Sequence, residues 1–106
     1  MTNEQKDIRL LQEFFDRNAY LRFPNVKRRI ADGGNIYKKG YEVRLVLLDE
    51  DELETVLRML YRLEFVPGKP FIKSSRIIQP IYGRAQVEHF CQLVGYDWEA
   101  RLTESL

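Results

Sequence analysis

A chain of 106 residues, 44% apolar and 31% charged, is the length of one small domain and carries enough apolar material for a core, which excludes a disordered chain. Seventeen Lys and Arg against sixteen Asp and Glu leave a formal net charge of +1, which argues against a histone-like tail or a uniformly basic binder. The single Cys91 and single His89 exclude a disulfide framework and a Cys/His zinc cluster. No apolar run reaches the ~18 residues of a membrane span, and residues 1–7 are polar, so a cytoplasmic location without a membrane partner is the expectation.

Residues 4–19 read as a helix. Ile8, Leu11 and Phe15 recur at helical spacing, Leu10 and Phe14 widen the stripe, Asn3 is the expected N-cap, and Pro24 ends any continuation. Residues 20–48 read as a long twisted hairpin. Its second strand, 41–48, alternates in character, and Asp32-Gly33-Gly34-Asn35 is the turn signal. Residues 50–63 read as a second helix, with Asp49 and Glu52 as a capping box and Leu53, Val56, Leu57 and Leu60 as the core stripe. Val66–Pro70 is a turn with Gly68 at positive φ. Phe71–Lys73 and Arg76–Tyr82 form a second hairpin, in which Pro80 indicates an edge strand or a bulge. Residues 84–94 are a third helix ended by Gly95, and the last ten residues are a tail or short helix anchored by Trp98 and Leu102. The expected fold is one α+β domain over 1–106, with a core of 4–95 and an antiparallel sheet covered by helices on one face.

The near-neutral sum hides a segregation. Residues 17–48 have a net charge of +6 and residues 65–84 of +4, whereas 1–16, 49–64 and 85–106 hold −2, −4 and −3. The basic blocks coincide with the predicted hairpins and the acidic blocks mostly with helices. An uncovered sheet face would then present Arg22, Lys27, Arg28, Arg29, Lys38, Lys39, Arg44, Lys73 and Arg76 among Tyr20, Tyr37, Tyr41 and Tyr82. Such a face suits a polyanion whatever the total charge.

The order αββαββα resembles one unit of the LAGLIDADG homing endonucleases. Three stretches carry the likeness: Leu10–Arg22, which resembles the signature helix and first strand; Tyr41–Leu45 with the acid-capped helix after it; and Gly68-Lys69-Pro70 followed by Ile77–Tyr82, Gly83-Arg84 and a helix ending in Leu93-Val94-Gly95. The resemblance implies a DNA-binding saddle of four antiparallel strands. It also implies pairing of two units through their signature helices, with a divalent metal at the helix ends. The family's first acid falls on Asp16, and its metal-binding acid on Asn18. The small residues of its helix seam fall on Gln12 and Glu13. A neutral Asn carbonyl is a poor Mg²⁺ ligand. The reading is therefore a domain that binds DNA, with RNA as an open choice, and has lost cleavage. The alternatives are a Mg²⁺-dependent homodimeric nuclease using Asp16, and a protein-interaction module for an acidic partner. Cys91 reads as a buried structural thiol, His89 as a surface residue, and Asp49–Glu52 as helix capping rather than a metal cluster.

Overall fold

The computed structural model of the chain describes residues 2–23 and 40–97. Helix α1 (Asn3–Asn18) begins with Thr2, not Asn3, as its N-cap. The Thr2 hydroxyl accepts from the Gln5 N–H at 3.1 Å, and Gln5 Oε1 accepts from the Thr2 N–H at 2.9 Å. This capping box satisfies two end donors reciprocally, whereas Asn3 would have Lys6 as its reciprocal partner, and an ammonium cannot accept. After α1 the backbone turns extended at Ala19 and enters strand β1 (Tyr20–Arg22).

Strand β2 (Glu42–Leu47), helix α2 (Glu50–Arg62), strands β3 (Phe71–Lys73) and β4 (Arg76–Tyr82) and helix α3 (Arg84–Val94) follow. The strands form one antiparallel sheet in the order β1-β2-β4-β3, with Leu21 opposite Val43, Val43 opposite Ile81, and Ile72 opposite Ile77. Along β2 the side chains alternate. Val43, Leu45 and Leu47 are fully buried and share one core with Leu21, Ile81 and Phe65 and with Leu11, Phe14, Val56, Met59, Leu60, Val87, Phe90 and Cys91 of the helices. All three helices therefore lie on one face of the sheet, and the fold is two-layered α+β. No described helix is long and apolar enough to cross a membrane.

Two ion pairs tie helices across the layer. Asp7 of α1, almost wholly buried, receives both Nε and Nη2 of Arg62 from α2, at 2.8 and 2.7 Å. Arg17 near the end of α1 grips both oxygens of Glu52, at 2.8 and 2.9 Å, and donates to the Val46 carbonyl at 3.0 Å. Asp49 caps α2 by accepting the Glu52 N–H at 2.9 Å, but Glu52 reaches past Asp49 to the Leu48 N–H at 2.7 Å. The expected capping box is thus half formed, and Glu52 joins α1, α2 and the end of β2.

Several local expectations change. The core stripe of α2 is turned toward Met59 and Leu63, which leaves Leu57 only half-buried. Pro80 stands in an inner strand, not on an edge. In an antiparallel ladder a residue's nitrogen and carbonyl point to the same side. The Pro80 carbonyl accepts from the Gly68 N–H at 2.9 Å, so its missing donor faces the incoming 66–70 segment and costs no bond to β2. Gly68 is not at positive φ. Its need is space: a Cβ there would sit 2.5 Å from a carbon of the Tyr82 ring. Gly95 does adopt the left-handed conformation (φ 77°) that ends α3. Tyr41 packs edge-on to Phe23 at 6.0 Å on the core side, and His89 is half-buried, its Nε2 3.3 Å from the Leu63 carbonyl and its ring 4.8 Å from that of Phe65.

Leu60→Ala is expected to cost about 2–5 kcal/mol, as for a fully buried leucine, and Leu57→Ala distinctly less. Urea unfolding of the two variants gives the order directly, and a larger loss at Leu57 would contradict the placement of α2. The hydrogen bonds from Arg62 hold the Asp7 carboxyl below its ordinary range. A carboxylate with a depressed folded pKa contributes stability above about pH 4 that is lost as pH falls through the folded value. Asp7→Asn should therefore lower the urea midpoint at neutral pH and shrink the drop in stability on acidification. A drop as steep as in the parent would contradict the ion pair's role.

Candidate nucleic-acid interface

The residues of β2 that alternate with the core-facing ones define the opposite face. Cross-strand partners share a face. Glu42, Arg44 and Val46 therefore stand with Arg22 and Tyr20 of β1, with Tyr82, Pro80, Ile78 and Arg76 of β4, and with Phe71 and Lys73 of β3. No described helix covers this side. It carries four of the nine sequence-predicted basic residues: Arg22, Arg44, Lys73 and Arg76. Lys27, Arg28, Arg29, Lys38 and Lys39, and Tyr37 with them, lie outside the described residues.

Arg44 occupies the middle of the face. Its Nε donates to Glu42 Oε2 at 2.7 Å. Its guanidinium carbon lies 5.8 Å from the Tyr20 ring centre and 5.4 Å from that of Phe71. Arg22 approaches the same Tyr20 ring, also at 5.8 Å. The Glu42 carboxylate raises the basicity of Arg44, chiefly through that hydrogen bond and against the cost of partial burial. Glu42 itself is only 4% exposed, so the one acid on the described face is neutralised beneath its partner. Tyr20 and Tyr82 are about half exposed.

Lys73 and Arg76 pair across the two-residue turn Ser74-Ser75. Both serines have positive φ, 50° and 66°, as a type I′ turn requires. That turn matches the twist of the strands and sets two exposed cations side by side at the tip. The segment leading into β3 is fixed from below. Gln79, fully buried, donates Nε2 to the Gly68 carbonyl at 2.8 Å and to the Pro80 carbonyl at 2.9 Å. This holds 66–70 along β4 and delivers Phe71 to the face.

The alignment of Asp16 and Asn18 with a metal site finds no support in the donors that the described residues bring together. Both residues are exposed at the end of α1, and the intervening Arg17 is folded onto Glu52. Among the described residues no three His, Cys, Asp or Glu side chains form a group able to hold a metal ion. Mg²⁺ takes near-octahedral oxygen ligands, usually with one or two carboxylates and several waters. One exposed carboxylate beside a neutral amide does not fit it, and no catalytic step is derived through Asp16. Gln12, at the position of a small seam residue, is half-buried and donates to the Leu93 carbonyl at 3.4 Å, while Glu13 is exposed. Burial, with Glu88 assisting, pushes the Cys91 thiol up to about 11, which removes it as a nucleophile.

Sequence reasoning missed Phe71, Glu42 and the apolar floor of Val46, Ile78 and Pro80. The i, i+2 spacing of Glu42 and Arg44 on one strand was the available signal for their pairing. Comparison of the chain with family models, with curated proteins and with solved structures finds no match.

Left-handed backbone costs an L-residue about 1–2 kcal/mol, and Asn-Gly is the preferred type I′ pair. Replacing Ser74-Ser75 by Asn-Gly is expected to raise stability by about 1 kcal/mol in urea unfolding. A destabilised variant would contradict the turn type.

Proposed function

We propose that this chain is a LAGLIDADG-like domain that lays its uncovered sheet face on double-stranded DNA and binds it without cleaving it. The observation that carries the reading is the sheet face that no described helix covers: four basic side chains and three aromatic rings on one side of a sheet whose only described acid, Glu42, is buried against Arg44. The element order αββαββα and a sheet of four antiparallel strands support the reading, since these are the features on which the resemblance rests. The neutral amide of Asn18 at the position of the family's metal-binding acid supports binding over hydrolysis, since an amide carbonyl is a poorer Mg²⁺ ligand than a carboxylate.

The chemistry of the face divides by position. Lys73 and Arg76 are exposed at a hairpin tip, where long cationic side chains reach phosphates and set register. Arg44 and Arg22 lie inward, where contacts reach base edges. An antiparallel ribbon enters the major groove of B-form DNA, whereas the deep, narrow major groove of A-form RNA does not admit one. This width argument favours DNA over duplex RNA.

Fluorescence anisotropy with a labelled mixed-sequence duplex tests the reading. Affinity should fall steeply with salt, since each neutralised phosphate contributes about 0.9 to the slope of log K against log salt. Lys73→Glu with Arg76→Glu should lower that slope by about 2. Undetectable or salt-insensitive binding would contradict the proposal, and capture of an acidic protein that survives nuclease treatment would favour an interaction module instead. Cutting of plasmid DNA with Mg²⁺, abolished by Asp16→Ala, would restore the nuclease.

A further inference from the structure

We infer that Arg44 is a preorganised guanine-reading side chain, held by Glu42 and flanked by Tyr20 and Phe71. The inference rests on the DNA-binding reading above and adds to it a base and the residue that reads it.

Three observations converge. Arg44 lies on the face that no described helix covers, because Val43 and Leu45 on either side of it are fully buried in the core on the other. Its Nε is engaged by Glu42, but Nη1 and Nη2 have no hydrogen-bond partner among the described residues. Its guanidinium is restrained by two rings on different strands, Tyr20 of β1 and Phe71 of β3, and the side chain retains 23% of its exposure. The result is a rigid two-donor fork at the centre of the sheet, with its third donor direction already used.

A guanidinium has donors only. In the major groove guanine presents two adjacent acceptors, N7 and O6. Adenine presents an acceptor beside a donor, thymine one acceptor beside a methyl, and cytosine a donor. A fork with two free, parallel N–H groups is satisfied in full by guanine and leaves at least one donor unpaired on each other base. Fixing the arginine before binding removes the rotamer entropy that a free arginine loses on docking, so more of the contact appears as discrimination. Lys73 and Arg76 are exposed at the tip and suit phosphate; Arg44 is restrained and central, which suits a base edge.

The test compares anisotropy titrations of the intact chain with poly(dG)·poly(dC), with poly(dA)·poly(dT), and with the first duplex carrying 7-deazaguanine, all at one salt concentration. The expected result is about tenfold tighter binding to the G·C duplex, as for one bidentate pair. Most of that preference should be lost on 7-deaza substitution, which removes the N7 acceptor and leaves every phosphate in place. Arg44→Lys should abolish the preference, and Glu42→Gln should weaken it. The 7-deaza arm uses the parent protein, so it stands even if a variant fails to fold. Equal affinity for the three duplexes would overturn the guanine assignment and leave DNA binding intact. A preference that survives Arg44→Lys in a folded variant would also overturn it. Binding to none of the duplexes would overturn both readings.

Discussion

The structure depends on the side-chain alternation of β2. This strand is paired on both sides, by β1 and β4, and every second residue is sealed into the core under the helices. A slip of one residue would bring Glu42, Arg44 and Val46 under the helices and set Val43, Leu45 and Leu47 against solvent. Burying an arginine and a glutamate in that core costs far more than the sheet could return. The apolar pattern therefore fixes the register, and the register in turn fixes which cations share the open face. Folding draws on one side of this strand, and the proposed DNA binding on the other.

The helix layer stiffens this arrangement through charge as well as packing. Arg17 joins the end of α1 to Glu52 and to the Val46 carbonyl, so the turn between β2 and α2 is clamped from a neighbouring element. Asp7 and Arg62 bind α1 to α2 near the other end of α1. The core-side residue Gln79 supports the open face indirectly, since its amide holds the 66–70 segment that carries Phe71 into place beside Arg44. The buried thiol of Cys91 and the half-buried His89 are accounted for by packing with α1, α2 and the chain after α2.

Much of this was legible before the structure was seen. Helix periodicity placed α1, α2 and α3 to within a residue or two, because those stripes are long and Asp49 and Gly95 punctuate the later two, whereas the start of α1 fell on Asn3 in place of its true cap Thr2. The second hairpin was found at its observed bounds because Ser74-Ser75 divides two apolar runs. The open face was harder. Its basic members Arg22, Arg44, Lys73 and Arg76 could be named, but a sequence does not say that Tyr41 turns inward while Phe71 turns outward. That choice follows from strand register, a long-range property. Pro80 misled for a related reason: its missing N–H matters only on the side where a partner needs it, and here that side meets Gly68. At Asp16 and Asn18 the likeness lies in residue spacing, and among the described residues no group of three His, Cys, Asp or Glu side chains forms around them.

The sheet face that no described helix covers is the proposed DNA-contacting surface. The most direct measurement is a titration of isotope-labelled protein with a short duplex, followed by backbone and side-chain NMR shifts. The largest changes are expected at Tyr20, Arg22, Arg44, Lys73 and Arg76, with the outer surface of α2 unaffected. Changes concentrated on α2 or α3, with the sheet residues unmoved, would contradict it.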